Sequence, residues 1–184
     1  GQLTESTILG VTIEYAGDVA EMNTRALTAA LLAGLLRPIL NEVNMVNAPV
    51  VAKERGIKVQ DVRRAAEGVF ESYIRLTATT ERRSYSIAGT LYSGNRPRII
   101  QLNGIDMEAA WGANMLCVTN ADKPGHIGAL GTLLGQAGVN IATFALGRAR
   151  PGGDAIALVE VDQRHVVRRL VLGVDDGRRI HGAE

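Results

Sequence analysis

Asn120, Asp122 and Asn140 are the residues whose types and spacing could do chemistry in this chain. An apolar run, Met115 to Val118, leads into the first two and reads as a buried strand. Asn120 and Asp122 then supply short polar side chains at a turn. Pro124 suits the first turn of a helix, because it lacks an N–H that would be unpaired there anyway. Ile127, Leu130, Leu134 and Ala137 follow at helical spacing and predict one buried face. Gly138 sits where a left-handed cap would end that helix, and Val139-Asn140-Ile141 opens the next strand. The order strand, polar loop, helix, strand predicts Asn120, Asp122 and Asn140 near one loop end of a sheet. A helix N-terminus beside such residues can bind a carboxylate through its free N–H groups and dipole. Asp122 can accept a hydrogen bond from an ammonium group. Those are the two charged ends of a free amino acid.

By residue type alone, turn chemistry explains the same Asn and Asp residues, since both bond their own backbone in loops. His126, at the helix start, has no nucleophile or carboxylate partner in sequence and reads as a partly exposed residue rather than a base. His126, His165 and His181 are scattered without ligand spacing, so no metal site is expected. Lys53, Arg82, Arg83, Arg96 and Arg98 could gather around an anion such as a phosphorylated substrate. Each of them singly reads as a solvated surface charge. No G-x-G-x-x-G dinucleotide loop occurs. The glycines at 125, 128, 131 and 135 have the wrong spacing for one and are expected to allow close helix–sheet packing. No Ser-His-Asp or Cys-His arrangement is present, so this chain alone is not expected to oxidise anything.

The elements that must position these residues can be read from pattern and composition. The chain has 184 residues, 46% of them hydrophobic, enough for two small cores. Lys+Arg is 20 and Asp+Glu is 19, a balance that argues against nucleic-acid binding. Cys117, the single cysteine, lies in an apolar run and reads as a core residue in a reducing cytosol. No membrane span or signal peptide is visible, and the abrupt start at Gly1-Gln2-Leu3 suggests a piece of a longer protein. Leu9 to Tyr15 alternates as a strand. Asn23-Thr24 can cap a helix with Leu27, Leu31, Gly34 and Leu35 on one face, and Pro38 kinks or restarts it. Asn47-Ala48-Pro49 starts another helix that ends near Gly56. The segment from Ile57 to Gly68 leans to partly helical. Tyr73–Thr80, Tyr85–Tyr92 and Arg98–Asn103 are strands, with turns at Ser93-Gly94-Asn95 and Asn103-Gly104. Glu108 to Asn114 is a connector around Trp111. Ile141–Arg150 and Ala155–Val161 form a hairpin about Pro151-Gly152-Gly153, Arg164–Leu172 is a helix, and Arg178–His181 is a last strand. The second half is thus βαββαβ, the ferredoxin-like arrangement.

Asn120-x-Asp122-Lys123-Pro124-Gly125, Gly138-Val139-Asn140-Ile141 and Val161-Asp162 resemble the ACT domain, an amino-acid-sensing module of metabolic enzymes. Gly89-Thr90-Leu91-Tyr92, Arg98-Ile99-Ile100-Gln101-Leu102-Asn103-Gly104 and Gly147-Arg148 resemble the C-terminal half of the long-form bacterial D-3-phosphoglycerate dehydrogenase family. There an intervening domain precedes the ACT domain. The resemblance implies an α+β chain with an intervening domain over 1–111 and an ACT domain over 112–184. It implies that Asn120, Asp122 and Asn140, with Pro124, Gly125, His126 and Ile127 shaping the loop and offering backbone N–H groups, hold L-serine across an interface between two ACT domains. His126 departs from the apolar residue usual at its position. The resemblance further implies a cytoplasmic homo-oligomer with no nucleic-acid or membrane partner, and an NAD-dependent parent enzyme whose cofactor and catalytic histidine lie outside this fragment. The alternatives are a structural oligomerisation module with a degenerate effector site, or the related part of an L-serine dehydratase. The iron–sulfur chemistry of the latter needs more cysteines than Cys117.

Overall fold

The computed structural model describes residues 1–4, 6–66, 68–93, 95–162 and 180–182. The helix expected over 164–172 lies outside them, as does Gly94 of the expected turn. The chain divides into two compact units, Gly1–Pro97 and the part from Arg98 onward. Both mix strands and helices, which makes the chain α+β.

In the first unit, β1 (Ile8–Gly17) lies between β2 (Lys58–Arg64), parallel to it, and β3 (Ser72–Thr80), antiparallel. Strand β4 (Ser84–Tyr92) pairs with β3 on its other side. Helices α1 (Arg25–Leu36) and α2 (Ala48–Glu54) form the crossover from β1 to β2. The core brings Val11, Ile13 and Tyr15 of β1 together with Leu32, Leu35 and Leu36 of α1 and Ala48 and Ala52 of α2. Burying each large side chain there contributes about 1.5–3 kcal/mol. The inward face of α1 is the expected one widened by Leu32 and Leu36: Leu35 is buried, Leu27 and Leu31 are partly buried against the core, and Gly34 is exposed. The helix stops at Leu36, just before Pro38. The Asn23 side chain accepts the Arg25 N–H at 3.3 Å, while the Thr24 hydroxyl accepts from Arg63.

Strand β2 corrects the sequence reading of Ile57–Gly68 as partly helical. Its side chains are exposed except for partly buried Val62, so no buried-face periodicity marks it as a strand. Backbone pairing with β1 from Gly10↔Lys58 to Ala16↔Arg64 decides its conformation instead. It is further tied down by a chain of side chains: the Tyr15 and Thr28 hydroxyls lie 2.8 Å apart, and Thr28 donates to Asp61 at 2.8 Å.

In the second unit, β5 (Arg96–Leu102, beginning at the end of the first) and β6 (Ile105–Ala110) form a hairpin. Its turn, Asn103-Gly104, has φ of 49° and 78°, the left-handed pair that a tight hairpin demands. Strand β6 therefore takes Glu108–Ala110, which were expected in a connector. After β7 (Met115–Ala121) come α3 (His126–Gln136), β8 (Ile141–Arg148), β9 (Asp154–Val161) and β10 (Ile180–Gly182). The strand order β10-β7-β9-β8 is the ferredoxin-like order, with β8 at an edge. Leu130 and Leu134 of α3 pack on Leu116, Val118, Ala157, Val159 and Val161. Ile127 and Ala137, expected on the same face, are exposed. Gly138 has φ of 69° and ends the helix in the expected left-handed conformation.

Candidate functional site

Strand β7 runs three residues further than its apolar core, Met115 to Val118, suggests, so Asn120 lies within the strand rather than in the turn. Its side-chain amide donates to the Ala121 carbonyl at 2.7 Å. Asp122 comes next and is held in place by the β8–β9 turn. Its own N–H donates to the Gly153 carbonyl at 2.8 Å, and its Oδ2 accepts from the Gly152 N–H at 3.2 Å. Arg148, at the end of β8, donates to the same Oδ2 at 3.2 Å. The Gly152 N–H foremost, and then Arg148, hold the Asp122 carboxyl below the usual carboxylate range. Asp122 is thus an anion at neutral pH.

Pro124 is not in the first turn of α3, as the sequence suggested, but two residues ahead of it. Gly125 takes the N-cap position with φ of 92°, a conformation that costs glycine little. No side chain caps the helix, so its first N–H groups are not consumed by a capping oxygen. His126 reaches back, with Nδ1 3.3 Å from the Lys123 carbonyl. Ile127 is 53% exposed. The glycines of α3 do not serve close packing against the sheet: a Cβ at Gly128, Gly131 or Gly135 would meet nothing within 4 Å.

Asn140 is at the other end of the sheet. Strand β8 begins opposite Val161 and ends opposite Ala155, whereas β7 ends opposite Asp154. The length of β9 therefore separates Asn140 from Asp122, roughly 20 Å at the rise of a strand. Asn140 donates from Nδ2 to Asp162 Oδ2 at 2.6 Å, and the Asp162 N–H returns to the Asn140 carbonyl at 3.2 Å. Within one chain the expected grouping of Asn120, Asp122 and Asn140 at one loop end does not form. The residues missed from sequence are the partners, Arg148, Gly152 and Asp162. Each is drawn in by β pairing between segments far apart in sequence, although Gly147-Arg148 and Val161-Asp162 already stood among the recognisable motifs.

The basic residues of the first half are spread out as well. Arg82 and Arg83 sit in the β3–β4 turn, and Arg96 lies beyond the far end of β4. Arg83 stacks over the Tyr85 ring at 4.5 Å, and Arg96 donates to the Ser93 carbonyl at 3.3 Å. Lys53 is exposed in the last turn of α2, and Arg98 stands opposite Ala110 in the β5–β6 hairpin. Among the described residues no group of His, Cys, Asp and Glu could hold a metal ion, and no helix is long and apolar enough to cross a membrane.

The second unit is thus a ferredoxin-like module with an anionic loop residue beside a helix N-terminus. Residues 1–103 match the family model described as the D-3-phosphoglycerate dehydrogenase intervening domain, and the chain belongs to that family. It is 33% identical over 171 residues to a D-3-phosphoglycerate dehydrogenase of Bacillus subtilis, covering 92% of this chain and 32% of the relative. It is 33% identical over 172 residues to that of Methanocaldococcus jannaschii, covering 93% and 32%. To that of Synechocystis it is 37% identical over 164 residues, covering 88% and 30%. The chain spans about a third of the length of these curated relatives.

Proposed function

We propose that this chain is the regulatory portion of a D-3-phosphoglycerate dehydrogenase, with an intervening domain over 1–111 and an ACT domain over 112–184. It binds L-serine between two ACT domains and feeds that occupancy back on an NAD-dependent reaction catalysed elsewhere in the parent enzyme, in the cytoplasm. The observation that carries this reading is the placement of Asp122 and Asn140 at opposite ends of one sheet whose outer strand, β8, is an edge. Antiparallel pairing of β8 with its copy about a two-fold axis sets the Asp122 end of one chain beside the Asn140 end of the other. Two half-sites, each useless alone, become two whole ones.

The exposed side chains of β8 support the same geometry. Phe144 and Leu146 stand opposite Val159 and Ala157, on the face that carries α3, yet are 37% and 40% exposed. An edge strand with apolar side chains and free backbone groups invites a partner strand. L-serine would place its ammonium on Asp122 and its carboxylate on the first N–H groups of α3. The amide of the partner's copy of Asn140 would complete the site. Ligand binding favours one subunit arrangement only through its differential affinity, typically about 1–3 kcal/mol of coupling.

A structural oligomerisation module without an effector is the second reading. It is favoured by the occupancy of Asp122, which already bonds Arg148 and Gly152. Complementation separates the two. Calorimetric titration with L-serine is expected to show saturable binding that Asp122→Ala and Asn140→Ala each abolish. Mixing the two variants is expected to restore binding, because a mixed pair regenerates one intact site. No binding by the unaltered, self-associated chain would favour the structural module. Loss in both variants without rescue on mixing would refute the shared site.

A further inference from the structure

We propose that Arg148 joins the first N–H groups of α3 as a ligand for the amino acid's α-carboxylate, so that Asp122 and Arg148 act as a charge pair reading both ends of a zwitterion. The proposal rests on the amino-acid reading above and adds to it the residue that demands a carboxylate. Asp122 does not need Arg148 to hold it in place. Two backbone bonds, from its own N–H to Gly153 and from the Gly152 N–H to its Oδ2, already fasten it to the β8–β9 turn. Nor does the ion pair add much to stability. The Arg148 side chain is 57% exposed, and exposed pairs of this kind are worth little.

The pair instead has unspent capacity. Both side-chain bonds to Asp122 fall on Oδ2. Arg148 uses one terminal nitrogen, NH1, on Asp122, and a guanidinium carries five N–H donors in a planar fork. Among the described residues Asp122 is its one ion-pair partner. An ammonium can therefore settle on Asp122 while a carboxylate one carbon away meets the remaining guanidinium donors, which match its two oxygens. An adjacent carboxylate and guanidinium suit compounds whose cation and anion lie close together, as in the α-amino acids.

The test titrates the full chain, its Arg148→Ala variant and its Arg148→Lys variant with L-serine and with ethanolamine, which has the amine and hydroxyl but no carboxylate. Circular dichroism and the unfolding midpoint establish that each variant is folded. Arg148→Ala is expected to weaken L-serine binding by about tenfold or more, the scale of a charge-assisted bond, and to leave ethanolamine binding unchanged. Lysine should recover part of the loss, since it restores charge without the fork. Unchanged L-serine affinity in Arg148→Ala would overturn the proposal. Tighter binding would also overturn it and make Arg148 a competitor for Asp122. Equal losses for both compounds would make Arg148 only a support for Asp122, again against the proposal. If the unaltered chain binds neither L-serine nor ethanolamine, the amino-acid reading fails, and this one with it.

Discussion

Alanine at Gly147 is expected to destabilise the second unit by about 1–3 kcal/mol, the scale of overpacking a filled site. A Cβ at this position would lie 2.6 Å from the Asp106 carbonyl oxygen, 2.9 Å from Ile105 Cγ2 and 3.1 Å from Met107 Cε. The methionine tip can swing aside at small cost. The carbonyl cannot, because Asp106 is paired with Gln101 in the β5–β6 hairpin. Even the shortest favourable carbon–oxygen contacts are about 3.3 Å, so β8 would have to back away from β6 by roughly 0.7 Å. Urea unfolding followed by circular dichroism measures the effect. A loss of about 2 kcal/mol lowers the midpoint by roughly 1 M at an ordinary slope. Gly131→Ala is the control, since its Cβ would meet nothing within 4 Å. Helix propensity alone should make that variant more stable, by up to about 1 kcal/mol. Equal midpoints for the two alanine variants would refute the close-approach argument.

Glu14 is 9% exposed and accepts from Arg75 at 2.9 Å and Tyr73 at 3.2 Å, with Arg64 at 3.3 Å. Glu14→Gln is expected to cost about 1–2 kcal/mol by leaving two guanidinium groups against a neutral amide, discounted because Arg64 is well exposed; an unchanged unfolding free energy would count against it. Asp122 titrates lower folded than unfolded, so its contribution to stability is complete above the usual carboxylate range and is lost as pH falls through the folded value. Carboxyl-carbon NMR should show that low midpoint, and Arg148→Ala should raise it only in part, because the Gly152 N–H is the larger cause. Burial pushes the Cys117 thiol up to about 11, so a thiol reagent at pH 8 should label it no faster than the chain unfolds.

The ferredoxin-like half was legible because its strands carry apolar runs and its turns carry Gly and Asn where φ is positive. Gly138 takes the left-handed conformation its position suggested, and Gly152, in the expected turn, has positive φ as well. Strand β2 was not legible. Its exposed residues carry no buried-face signal, and pairing to a distant strand fixes its shape. The face of α3 was half legible. Leu130 and Leu134 are buried as the spacing required, while Ile127 lies in the first turn, beyond the reach of the sheet within a single chain. The candidate residues were picked by type, and their place was not legible. Sequence spacing says nothing of which end of a sheet Asp122 or Asn140 reaches. That follows from strand direction, since Asp122 follows the end of β7 and Asn140 precedes the start of the parallel β8.

The parallel pairing of β1 with β2 bears on how the first unit assembles. β3 and β4 are joined by a short turn and can zip together from local contacts. β2 reaches β1 only after the chain has passed through both α1 and α2. Closing that long loop costs chain entropy before the ladder returns any free energy, and such non-local pairings form late. Until they form, one side of β1 is an open edge, able to accept a strand from another chain. Proper assembly of this unit thus depends on two helices docking quickly enough to deliver β2 before a neighbour supplies a substitute.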